Sequence, residues 1–210
     1  MKDIIIKSYT FLCNNYSAES KDEIFLLGFS RGAFAVRCLA DFIHRNNVLR
    51  KSELHELHRL YADWKNNIHQ AQPATLGTEV SIKACAVWDT VSAVGLPLPR
   101  LTLWERLRFV NSEFCPSVEY FFQALALHEH RYHFFPIVLH VPPHKADQVE
   151  QRWFAGYHAD IGGGNKSDAL AHFALVWVMS KLDRWITFDT SGLGGLLPNT
   201  TWRVPGACYL

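Results

Sequence analysis

No stretch of this 210-residue sequence approaches the eighteen or so consecutive apolar residues that span a bilayer; the longest runs, such as the one around Phe173 to Met179, fall far short. A chain embedded in a membrane through a helix is therefore not expected, although peripheral contact with a membrane surface is allowed. The three isoleucines between Met1 and Lys7 are too few for the apolar segment of a secretory signal peptide. Basic clustering is also lacking: 21 Lys and Arg are scattered among 20 Asp and Glu, leaving a net charge of +1 and no footprint for nucleic acid. The five cysteines, Cys13, Cys38, Cys85, Cys115 and Cys208, are an odd number without paired short spacings, which argues against a disulfide framework and a zinc knuckle. A reducing, cytoplasmic compartment fits, with export by a signal-independent route open to a bacterial protein. There is no linker, repeat or low-complexity tract, so residues 1–210 read as a single domain whose last segment, 186–210, is weakly patterned.

What is present is a globular mix, 49% apolar and 20% charged, ample for a sizeable interior. Helical spacing covers Ile4–Tyr16, followed by a polar connection over Ser17–Asp22. Glu23–Gly28 is almost wholly apolar, as suits a strand buried on both faces of a parallel sheet. The stretch Gly32–His44 changes to a helical stripe of Phe34, Cys38 and Phe42 with Val36, Leu39 and Ile43. A helix capped by Ser52 is expected over Ser52–Gln70, ended by Gln72-Pro73, then a strand over Val80–Trp88 and a proline loop over Gly95–Arg100. Helical patterns follow at Leu103–Val110 and Ser117–Leu127, strands at Phe134–His140 and Gln151–Tyr157, and a long helix at Ser167–Arg184. Alternation of this kind predicts an α/β fold: a mostly parallel sheet with helices on both faces.

Gly28-Phe29-Ser30-Arg31-Gly32 matches G-x-S-x-G, the nucleophile elbow, in which a serine occupies a strained strand-to-helix turn. Glycines two before and two after the serine let strand and helix backbones come close. The pattern arises by chance about 0.07 times in a chain of this length, and its context, an apolar run before and a striped helix after, is more telling than the pentapeptide. A serine hydroxyl needs a base, and that base an acid to orient it. In this fold the chain order is serine, acid, histidine, each at the carboxyl end of a strand. Asp89 follows the strand Val80–Trp88 and His158 follows Gln151–Tyr157; Asp160 is the alternative acid, or else a turn residue binding its own loop. The backbone N–H of Arg31 is the first candidate oxyanion donor.

His128, Glu129, His130 and His133 suggest a metal site at first sight, yet H-E-x-x-H would require a histidine where Tyr132 stands. A structural Glu129–Arg131 ion pair is expected instead, with the histidines at a helix end or lining the cleft. Gly162–Gly164 lacks the G-x-G-x-x-G spacing of a phosphate loop and reads as a turn beside His158. His55, His58 and His69 are taken as solvated, and Trp88 and Trp153 as core. No metal and no cofactor is called for.

Four segments in order, GFSRGAFAVRCLADFI, AVWDTVSAVG, ALALHEHRYHFFP and QRWFAGYHADIGGG, resemble the phospholipase-effector catalytic domain associated with bacterial type VI secretion, a family with many fungal members. The resemblance covers most of residues 1–185. It implies an α/β-hydrolase fold, a triad of Ser30, Asp89 and His158, and hydrolysis of lipid or other carboxylic esters through an acyl-enzyme. Members carry a first strand and an Asp-Gly-Thr loop well upstream of the serine, whereas this chain has 29 residues before Ser30. On that ground the chain is expected to be incomplete at its N-terminus and to lack the loop supplying a second oxyanion donor. The alternative expectation is a catalytically inactive remnant or interaction module derived from such a hydrolase.

Overall fold

The structure is a computed structural model describing residues 1–67, 76–91, 113–189 and 191, the His133 side chain excepted. The expected helix end at 68–70 with His69, the breaker Gln72-Pro73, the loop Gly95–Arg100, the helix Leu103–Val110, Cys208 and most of the tail lie outside these residues.

Helix α1, Lys2–Asn15, turns Ile5, Tyr9 and Cys13 inward at helical spacing. Strand β1, Ile24–Phe29, leads through Ser30 into α2, Arg31–Asn46, which buries Phe34, Cys38 and Phe42 along one stripe. A 3₁₀ segment, Lys51–Glu56, precedes α3, Leu57–Lys65. Ser52 therefore lies inside the 3₁₀ turn and caps nothing; the Glu53 carboxylate instead takes up the Arg50 N–H at 2.9 Å. Strands β2, Ile82–Trp88, β3, Val118–Ala126, and β4, Val149–Phe154, complete the sheet, followed by a short α4, His158–Gly162, and by α5, Ala169–Leu182.

Among the described residues the four strands run parallel in sequence order, β1-β2-β3-β4. Parallel strands put all their carboxyl ends at one rim, and that rim is where Ser30, Asp89 and the approach to His158 fall. One face of the sheet is covered by α1, α2 and α3 over a core rich in aromatics: Tyr9 meets Phe42 at 4.8 Å between ring centroids, and Trp64 meets Phe42 at 5.5 Å. The other face packs α5 against small strand residues, Ala84, Ala86, Ala124 and Ala126, with Ile161, Trp177 and Val178 filling the gap. This is an α/β fold with helices on both faces.

Three expectations are corrected. The span 117–127 is not a helix but the inner strand β3, where Val118 and Phe121 go to the first core and Phe122, Ala124 and Ala126 to the second. Residues buried on both faces leave no period-two signal to distinguish strand from helix. Phe134–His140 is no strand of the sheet: Phe134 ends a 3₁₀ turn, Tyr132–Phe134, and the residues after it are tied down by side-chain amides. Gln123 Nε2 donates to Ile137 O at 2.6 Å, while Gln151 on the neighbouring strand pairs with both Leu139 N and Leu139 O, at 2.6 and 2.9 Å. Those two glutamines satisfy backbone groups that a ladder would otherwise claim. Finally, β1 lies at the edge of the described sheet and Leu27 is 47% exposed, so that strand is not buried on both faces.

Candidate active site

Strand β1 reaches the rim at Phe29 and turns into α2 through Ser30, whose backbone takes φ 59° and ψ −123°, a combination that non-glycine residues rarely adopt. The turn is locked from two sides. The Ser30 N–H donates to Trp88 O at 3.0 Å, extending the ladder with β2, and the Phe34 N–H donates to Ser30 O at 3.2 Å, opening the helix. A Cβ at Gly28 would stand 2.7 Å from Gly32 O and 2.8 Å from Ala33 N, so only glycine permits this approach. The same is not true of Gly32, where a Cβ would meet nothing within 4 Å among the described residues. The Arg31 N–H sits in the first turn of a 16-residue helix, where amide groups have no partner within the helix.

Asp89 follows β2 in a second strained position, φ 42°, with its N–H donating to Ala124 O at 2.8 Å. Its side chain is fully buried, which demands partners for both oxygens. Oδ1 accepts the Ala126 N–H at 2.9 Å, and Oδ2 lies 2.6 Å from His158 Nδ1. His158, the first residue of α4 and 7% exposed, brings its other ring nitrogen, Nε2, to 2.7 Å from Ser30 Oγ. A carboxylate only accepts, so Nδ1 carries the proton toward Asp89 and Nε2 presents its lone pair to the serine hydroxyl. The imidazole is held between rings: Phe29 stacks on it at 4.7 Å, and Phe134 approaches edge-on at 5.1 Å. Ser30, Asp89 and His158, up to 128 residues apart in the chain, thus stand in one hydrogen-bonded series.

Asp160 is turned elsewhere. Its Oδ2 accepts the Tyr157 N–H at 2.8 Å, its Oδ1 accepts from Asn165 Nδ2, and its Cβ occupies the space a side chain at Gly156 would need. The carboxylate closes its own loop, the blander of the two expectations. Gly162 ends α4 against the Phe29 ring, which leaves no room for a Cβ, and Gly163 and Gly164 follow with φ 85° and 104°. These glycines form the turn out of the short helix.

The Glu129–Arg131 ion pair is present, with Arg131 Nη2 2.6 Å from Glu129 Oε2. It stands on the loop after β3. His128 and His130 are there too, each within about 6 Å of the Tyr157 ring, at 6.2 and 5.8 Å. No group of three or more His, Cys, Asp or Glu among the described residues could hold a metal ion. Among the described residues burial pushes the thiols up, Cys13 to about 11, Cys85 and Cys115 to about 12, and Cys38 in the same direction, which disfavours the nucleophilic thiolate. Of the two tryptophans expected in the core, Trp88 packs partly buried against the second core, while Trp153 is 48% exposed. His55 and His58 are on the surface, as expected. Among the described residues no helix is long and apolar enough to cross a membrane.

The model of the family described as T6SS, phospholipase effector Tle1-like, catalytic domain, matches residues 1–181. The chain is similar to a solved structure of the Tle1 effector bound to the VgrG spike of the type 6 secretion system, with 22% identity and a TM-score of 0.37, over 69% of this chain and 25% of that one. It is also similar to an uncharacterized protein from Pseudomonas aeruginosa, with 18% identity and a TM-score of 0.41, over 84% of this chain and 26% of the other. The chain thus spans about a quarter of the length of these two structures. No curated protein matches it.

Proposed function

This chain belongs to the Tle1-like phospholipase effector catalytic domain family of type VI secretion, and from that premise we propose that it is a serine hydrolase of carboxylic esters, lipid or phospholipid in kind. Ser30 is the nucleophile. His158 Nε2 removes the hydroxyl proton as Oγ bonds to the ester carbonyl carbon, and the carbonyl π electrons move onto oxygen. Asp89 keeps the proton of the resting ring on Nδ1 and stabilises the imidazolium that forms. The Arg31 N–H donates to the tetrahedral oxyanion, a type of contact whose loss costs on the order of a hundredfold to a thousandfold. As the intermediate collapses, His158 returns the proton to the departing alcohol oxygen and an acyl-Ser30 ester remains. Water, deprotonated by the same imidazole, then attacks that ester, releases the acid and restores the serine.

The observation that carries this reading is the unbroken series Ser30 Oγ, His158 Nε2, His158 Nδ1, Asp89 Oδ2, at 2.7 and 2.6 Å. The strained serine supports it as well, because a costly backbone persists where the surroundings impose it. The protein meets its lipid from the aqueous side, as a peripheral enzyme, after synthesis in the cytoplasm and export by the type VI route of its family. The test is hydrolysis of p-nitrophenyl butyrate and of dioleoylphosphatidylcholine vesicles by the purified chain and by Ser30→Ala. Release of acid from either substrate that disappears in Ser30→Ala supports the reading; equal turnover by both proteins would remove Ser30 from it.

A further inference from the structure

We infer that Glu129 is a positioning residue for His158, acting with Arg131 and Phe134 as a brace that fixes both the backbone and the ring of the imidazole. The inference rests on the reading of His158 as the general base. An ion pair between residues two apart could satisfy itself at the surface, yet the Glu129 side chain is entirely buried while Arg131 remains 53% exposed. Burying a carboxylate is costly unless all its acceptor sites are used. Here four donors converge. Oε1 accepts the Arg131 backbone N–H and Nε, each at 2.9 Å, and Oε2 accepts Arg131 Nη2 at 2.6 Å. The fourth is the backbone N–H of His158, 3.3 Å from Oε2.

The same guanidinium lies 4.0 Å above the Phe134 ring, and the edge of that ring meets the His158 imidazole. One loop therefore touches His158 twice, at its amide through Glu129 and at its ring through Arg131 and Phe134. Further bonds stitch this loop to the residues just before the histidine. The His128 N–H donates to Gly156 O and the Gly156 N–H to His128 Nδ1, both at 3.0 Å. The Arg131 guanidinium hydrogen-bonded to it holds the Glu129 carboxyl down at about 2 against the opposing effect of burial, so the brace keeps its charge throughout the neutral range. Without the brace the imidazole would still have Asp89, but its amide would lose the acceptor that sets where α4 begins.

The experiment compares fluorophosphonate labelling rates and p-nitrophenyl butyrate kinetics for the full chain, Glu129→Ala, Glu129→Gln and Ser30→Ala. Misplacement of a catalytic group by about 1 Å costs up to about a hundredfold, so Glu129→Ala should label roughly ten- to a hundredfold more slowly, with kcat falling and KM within about threefold. Glu129→Gln, which retains one acceptor oxygen, should recover part of that loss; a purely structural defect would lower the folded fraction without this partial rescue at matched folding. Labelling of Glu129→Ala within about twofold of the full chain would overturn the inference. Should the alanine variant fail to fold, an undiminished rate for Glu129→Gln would overturn it equally. Labelling that survives in Ser30→Ala is a different result, for it removes the reading of the site and this inference with it.

Discussion

Helix α2 connects two regions that are held together by opposite means. Along its body it sinks Phe34, Phe42 and Ile43 into an aromatic core with Tyr9, Tyr61 and Trp64, where the Tyr9 hydroxyl donates to Asn47 O at 2.8 Å and accepts the Leu49 N–H at 3.2 Å. At its first turn the same helix carries Ser30 in a strained conformation, beside a second strained residue, Asp89, and three buried polar side chains, Asp89, Glu129 and His158. Apart from the buried Arg37 and the positive φ of Asn47, the core region is held by apolar packing, whereas the rim gathers strained backbone and buried polar groups in one place. Proteins concentrate such departures at functional sites and hold them in place with well-packed structure elsewhere. The difference implies that substitutions in the two regions should separate activity from stability.

The sharpest separation is expected from Asp89→Asn. Losing the acid that sets the imidazole tautomer costs about 10⁴-fold in rate, and we expect that fall in ester turnover from a protein that still unfolds cooperatively; turnover within tenfold of the unaltered chain would break the comparison at the rim. Next is Phe42→Ala in the core, which should lower the unfolding free energy by about 3–5 kcal/mol in urea titrations, while the folded fraction keeps its specific labelling rate. A loss of rate per folded molecule would mean that the two regions are not separable. A smaller effect of opposite sign is expected for Ser30→Gly. Release of the φ 59° strain should raise thermal stability by about 1 kcal/mol after the added chain entropy of glycine is deducted, with activity abolished. Calorimetry showing destabilisation would argue that the turn is not under strain.

Acid dependence at Glu129 sharpens the comparison at the rim. Its carboxyl is depressed from the usual 4.5 to about 2 in the folded chain, so its contribution to stability is present above about 4.5 and is lost as the pH falls toward 2. Glu129→Gln should show a flatter loss of stability across that window in acid titrations followed by circular dichroism. An identical profile for both proteins would contradict the depressed value.

The sequence was most legible where structure is local. Apolar run, G-x-S-x-G and striped helix are contiguous, so the turn at Ser30 follows from residues 23–44 alone, and Asp89 is marked by the end of an apolar, β-branched stretch. Elements that depend on distant partners were harder to read. β3 has apolar residues on both faces because two cores claim them, which mimics the spacing of a buried helix. The segment 134–140 begins in a 3₁₀ turn and joins no strand; its hydrogen bonds go to Gln123 and Gln151, whose importance no local pattern reveals. Glu129 was legible as half of an ion pair because Arg131 is two residues away. Its bond to His158, 29 residues on, exists only in the folded chain.

The most direct measurement is intact-mass analysis of the protein quenched in acid during turnover of a slowly deacylating p-nitrophenyl ester, followed by peptide mapping. The account predicts one added acyl mass, located on the peptide that contains Ser30 and absent from both Ser30→Ala and an acid-unfolded control. An acyl group on any other residue, or ester turnover with no covalent adduct under conditions of slowed deacylation, would contradict it.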